Sequence, residues 1–127
     1  MADIPDVTLD DFTKKVLEAQ GYTLIYFYAI WCKACQEMQP IVEAVSAEVA
    51  EKMAVVQVNT DREAEIITQQ KIRTLPSFQV MKDGEPVDLI RGPLSKLELM
   101  EKLSAVVAQG DEEVGAEDAA GPTESSG

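Results

Sequence analysis

Hydrophobic residues along the first 109 positions alternate between two spacings, one suited to strands and one to helices. Ile4 to Thr8 reads as a short first strand. Phe12, Val16, Leu17 and Ala19 recur at helical spacing, with Asp10 and Asp11 placed to cap that helix and Gly21 to end it. Thr23 to Ala29 is a nearly unbroken apolar, β-rich run, as expected of a strand covered on both faces. Met38, Ile41, Val42, Val45 and Val49 predict a helix from Cys35 to about Lys52, with Pro40 removing one backbone donor and kinking it. Ala54 to Asn59 is a further strand and Asp61 to Gln70 a short helix. Ser77 to Lys82 and Pro86 to Arg91 flank Asp83-Gly84, the residue pair of a two-residue hairpin turn. Ser95 and Glu98 form a capping box ahead of a last helix whose buried stripe is read as Leu97, Met100, Leu103, Val106 and Val107. The order βαβαβαββα predicts an α/β fold with a mixed sheet and helices on both faces.

At Gly110 the pattern stops. Residues 110–127 are small, polar or acidic, with Val114 the lone large apolar residue, too little to offset the entropy of ordering. Residues 1–109 are therefore expected to form one domain and 110–127 an acidic, disordered tail. The chain of 127 residues carries 23 acids and 11 bases, a net charge of −12. Six of those acids lie in the tail, leaving 17 against all 11 bases in the domain, so each part carries −6. Charge of this sign disfavours nucleic acid as a partner.

The absence of histidine removes Ser/His and Cys/His nucleophile pairs and His-ligated metal sites. Two cysteines cannot fill a four-coordinate zinc site within one chain, so no metal is expected. The longest apolar run, Leu24 to Cys32, is far short of the roughly 20 residues of a membrane span. The acidic start Met-Ala-Asp-Ile-Pro-Asp lacks a secretory leader's basic and apolar regions, and the expected location is the cytoplasm.

The remaining chemistry sits in Trp31-Cys32-Lys33-Ala34-Cys35, where a buried strand gives way to a helix. Unpaired N–H groups and the positive dipole end at a helix start favour a thiolate at Cys32. Cys35, one turn deeper, is placed to reach that sulfur. An accessible sulfur backed by a shielded one is the layout of thiol–disulfide exchange. Lys33 adds a positive charge that favours the Cys32 thiolate further.

Taken together, Trp31-Cys32-x-x-Cys35, Pro40, Thr74-Leu75-Pro76, Asp83-Gly84 and Gly92 resemble the thioredoxin family over about residues 4 to 108. The resemblance implies the thioredoxin fold, a central mixed sheet of four to five strands flanked by four helices. It implies that Cys32 is the attacking nucleophile, that Cys35 resolves, and that the peptide before Pro76 is cis. It implies an apolar docking shelf of Trp31, Thr74, Leu75, Pro76, Gly92 and Pro93. The expected activity is reduction of disulfide-containing protein substrates by a monomer. No cofactor beyond the Cys32–Cys35 pair is implied, and a thioredoxin-reductase-type electron donor would recharge it.

Three departures stand out. Lys33-Ala34 replaces the family's usual Gly-Pro, and a cation beside the thiolate favours the reduced form. Tyr26 stands where the family usually buries an Asp, and a phenol is no base near neutral pH. Gln57 stands where the family often carries a Lys, so acid and base are lost together. These changes predict a potential above the roughly −270 mV typical of thioredoxin. Two other roles fit the same residues: an oxidant or isomerase, and a binding or scaffold module with incidental redox activity. A cluster shared across a dimer by two such cysteine pairs is a third.

Overall fold

A computed structural model describes residues 4–119, with side chains described to residue 109. The elements are α1 (Leu9–Phe12), continued by a π-helical turn (Thr13–Leu17), then β1 (Tyr22–Tyr28), α2 (Lys33–Val49), β2 (Met53–Asn59), α3 (Ala64–Gln70), β3 (Ser77–Lys82), β4 (Glu85–Arg91) and α4 (Lys96–Ala119). The sheet order is β2-β1-β3-β4. β1 runs parallel to β2 and antiparallel to β3, and β4 returns antiparallel beside β3.

Alternation along β1 sorts the core into two layers. Leu24 and Tyr26 face Met38, Val42 and Val45 of α2 and Leu99 and Leu103 of α4. Ile25 and Phe27 face Phe12, Val16 and Ile66 on the α1–α3 side. Both faces of β1 are thereby covered, which accounts for its continuous apolar run.

The first predicted strand is reduced to a single bridge. Val7 N–H donates to Gln57 O (2.8 Å) and Gln57 N–H to Pro5 O (2.9 Å), pairing Asp6 with Gln57 in parallel. Pro5 has no N–H with which to extend the ladder. The first helix begins at Leu9 behind Thr8, not behind the Asp pair, and its last turn widens as Glu18 N–H reaches Thr13 O (2.7 Å). Gly21 does not cap that helix. With φ +81° it lies beyond it, and its N–H donates to Asp83 Oδ1 (2.7 Å) while Asp83 N–H donates to Gly21 O (2.9 Å).

Asp83 and Gly84 both have positive φ, 52° and 82°, as the predicted hairpin turn requires. The capping box also forms, with Ser95 N–H donating to Glu98 Oε1 (2.9 Å) and Glu98 N–H to Ser95 Oγ (3.1 Å). The stripe of α4 differs at one position: Leu99 is buried and Leu97 is 67% exposed. Leu99 and Leu103 are one turn apart, whereas Leu97 lies two residues from Leu99, on the opposite side of the helix. α4 continues past Gln109 to Ala119, since propagating a helix costs far less than starting one. The rest of the expected tail, residues 120–127, lies outside the described residues.

Candidate active site at the head of the second helix

The site sits where β1 ends and α2 begins. Cys32 is the N-cap of α2, with extended backbone (φ −83°, ψ 112°), and its Sγ accepts from Cys35 N–H at 3.2 Å. A sulfur here does what Ser or Asp does at other helix starts: it satisfies one of the unpaired first-turn donors. No acid lies in the first turn of α2. Both cysteines are free thiols, Cys35 2% exposed and Cys32 9%. Cys32 therefore shows only a narrow edge to solvent, less than the open sulfur expected from sequence. Burial, and next its hydrogen bond with Cys32, push the Cys35 thiol well above its ordinary value of 9.0.

Tyr26 lies beneath the pair, fully buried, and its hydroxyl donates to Cys35 O at 2.8 Å. Its ring stacks between Tyr28 (centroids 5.5 Å apart) and Phe78 (5.2 Å). Burial raises its phenol further above 10, so it stays protonated and acts as a donor only. The position the family usually gives to a buried acid is thus filled by a neutral hydrogen-bond donor.

The other predicted residues converge on this point from three segments. Lys33 is the first residue of α2 and exposed, and Ala34 packs against the cysteine pair. Leu75 packs against the same pair, and the Leu75–Pro76 peptide is cis. Thr74 is exposed, and its carbonyl accepts from Ser77 Oγ at 2.6 Å. Gly92 N–H donates to Pro76 O (3.0 Å), and a Cβ on Gly92 would meet Pro76 Cγ at 3.1 Å. A side chain there would press on the proline loop. The Gly92–Pro93 peptide is cis as well, which nothing in the sequence indicated, and Pro93 is exposed. Trp31 is 68% exposed, so it belongs to the surface and not to the core.

Sequence reasoning missed Ile30, 69% exposed beside Trp31. The signal was partial: the apolar run to Cys32 outlasts the strand, and of its last four residues Ala29 and Cys32 turn inward while Ile30 and Trp31 protrude. It also missed the network behind the site. Tyr28 hydroxyl (2.7 Å) and Gln57 Nε2 (3.2 Å) both donate to Asp6 Oδ1, and Gln39 Nε2 donates to Gln57 Oε1 (3.3 Å). That arrangement gives both ends of the buried Gln57 amide a partner, the carboxylate of Asp6 on one side and the amide of Gln39 on the other. Between this network and Ile30 lies a shallow depression of ≈ 290 Å³ lined by Tyr28, Ala29, Ile30, Cys35, Gln36 and Gln39. Among the described residues there is no group of three or more metal-ligating side chains, and no helix is long and apolar enough to cross a membrane.

Comparison with known proteins leads to the same chemistry. A thioredoxin from Synechococcus elongatus is 34% identical over 97 residues, covering 76% of this chain and 91% of its own length. A thioredoxin-like protein from Synechocystis is 37% identical, covering 76% and 92%. Thioredoxin Y1, chloroplastic, of Arabidopsis thaliana is 35% identical, and the chain spans 56% of that protein's length. The thioredoxin family model matches residues 3–105. With both cysteines and the proline loop inside that match, the chain belongs to the thioredoxin family, whose chemistry is thiol–disulfide exchange.

Proposed function

We propose that this protein reduces disulfides in other proteins, with Cys32 as nucleophile and Cys35 as resolving thiol. The observation that carries the reading is the Cys32 sulfur at the α2 N-cap, bonded to the Cys35 N–H, with Cys35 buried behind it. In the first step the Cys32 thiolate attacks one sulfur of the substrate disulfide. That bond breaks, a mixed disulfide forms, and the departing substrate sulfur takes up a proton. In the second step Cys35 gives up its proton to solvent and attacks Cys32 Sγ. The second substrate sulfur leaves, and two electrons have passed to the substrate. A reductase-type donor then returns the Cys32–Cys35 disulfide to the dithiol.

The same reading gives the pair a potential above roughly −270 mV. Its support is the exposed cation of Lys33 at the start of α2 and the neutral Tyr26 below. The protein acts as a monomer in a reducing compartment, the cytoplasm. The test is a pair of variants. Cys32→Ser abolishes exchange, and Cys35→Ser accumulates a mixed disulfide with substrate. A Cys32→Ser protein that retains disulfide-reducing activity overturns the assignment, and one that retains its biological role supports a binding module instead. In a redox titration, Lys33→Gln lowers the potential, and an unchanged value removes Lys33 from the account.

A further inference from the structure

Charge is distributed unevenly over this acidic protein. Three segments are joined at the site: residues 29–36 hold the cysteines, Leu75 of residues 71–77 packs against them, and Gly92 of residues 90–95 bonds to Pro76. The three segments contain Lys33, Lys71, Arg73 and Arg91 and no Asp or Glu, in a chain with 23 acids and 11 bases. Acids next appear at Glu37, one residue further along α2, and at Asp61 and Glu63, on the loop whose Thr60 N–H donates to Tyr28 O. All four cations are exposed, and among the described residues none of them forms an ion pair. Their placement follows from the fold. Lys33 follows Cys32, and Arg73 precedes Thr74. Arg91 is registered opposite Ser77, the residue after the cis-proline, and precedes Gly92, which bonds Pro76. Ile30 and Trp31, which precede Cys32, add exposed apolar side chains to the same segment as Lys33.

Resting on the disulfide-reductase reading, we propose that this face selects protein disulfides whose cysteine is flanked by carboxylates. An extended segment advances about 3.3 Å per residue, so side chains within three positions of the attacked cysteine stay within about 10 Å of Cys32. That distance is about one Debye length at 0.1 M salt, so the charge of Lys33, next to Cys32, reaches those positions, and any of the other cations within the same range adds to it. The net charge of −12 would by itself favour basic partners. Local and global electrostatics therefore predict opposite preferences, and the sign of the preference decides between them.

The experiment uses the full chain in its reduced form and three disulfide-linked peptides, identical except for Glu, Gln or Lys at the two positions on each side of the cysteine. The second-order rate for each is divided by the rate at which an uncharged small thiol reduces the same peptide, removing intrinsic reactivity. The expected order is Glu over Gln over Lys. The expected span is about tenfold at 20 mM salt, closing to about twofold at 0.5 M. Arg73→Gln combined with Arg91→Gln narrows the span at low salt. A flat series, or a preference for Lys, overturns the proposal while leaving the reductase reading intact. No reduction of any peptide overturns both. An undiminished span in the double variant removes these two arginines from the selecting face, and should that variant fail to fold, the wild-type series alone fixes the sign.

Discussion

Replacing Tyr26 by Phe isolates one hydroxyl beneath the redox pair. The ring stays in its stack between Tyr28 and Phe78, so packing is preserved; what is lost is the 2.8 Å bond to Cys35 O, with the weaker interaction of the hydroxyl with the Cys35 thiol. Within α2 that carbonyl keeps its bond from the N–H four residues on, so it is not orphaned. The cost is then that of one neutral hydrogen bond, about 1 kcal/mol. For a domain of this size that lowers Tm by roughly 4–6 °C. Tyr26→Ala, which also empties the ring's fully buried site, costs about 3–5 kcal/mol. Urea unfolding of both variants, in the reduced and oxidised states, measures these terms. The principal bond is to the backbone, so Tyr26→Phe should lose most of the same amount in both states, with a smaller added loss in the reduced state from the hydroxyl's interaction with the Cys35 thiol. A loss above about 3 kcal/mol for Tyr26→Phe would show that the ring had moved. A loss confined to the reduced state would show that the hydroxyl acts on sulfur and not on the carbonyl, refuting the assignment of its main bond to Cys35 O.

Two further predictions concern stability. Cys35 has a raised thiol in the folded, reduced protein. Its contribution to stability is fully present below the ordinary value of 9.0 and is lost as pH climbs from there towards the folded value. Denaturant midpoints of the reduced protein should therefore fall above pH 9 more steeply than those of the oxidised protein, and parallel curves would contradict this. Gly84→Ala forces a side chain onto a φ of +82° and places its Cβ 2.0 Å from Leu17 O. A loss of at least about 2 kcal/mol is expected on unfolding, and a neutral result would mean that the hairpin turn can be displaced without cost.

Local rules with short reach were legible in the chain. Asp83-Gly84 specified its turn because few residues tolerate two successive positive φ angles. Ser95 and Glu98 specified a helix start because both partners lie within one turn. The cysteine pair was legible for the same reason, since its spacing and its place after an apolar run fix both sulfurs at one helix end. What was not legible depends on distant partners. The strand at Ile4–Thr8 shrank to a bridge because Pro5 meets β2 at the one place where a further donor was needed. Leu97 and Leu99 are equally apolar, and only the position of α4 against the sheet chooses between them. The bond from Tyr26 to Cys35 and the network from Asp6 to Gln39 join residues whose proximity the fold creates.

The reciprocal bonds between Gly21 and Asp83, with Gly84 closed against Leu17, lie at the end of the sheet away from the cysteines. Hairpin tips are ordinarily where foreign segments can be spliced into a protein or a protease can cut. Here the tip is a latch, holding the entry to β1 and the β3–β4 hairpin in one fixture. An epitope grafted between Asp83 and Gly84 would have to break that latch before it could be displayed. The helix-to-strand junction before Gly21 is coupled to the same fixture. Peptide display on this scaffold therefore calls for a different loop from the one its hairpin shape suggests.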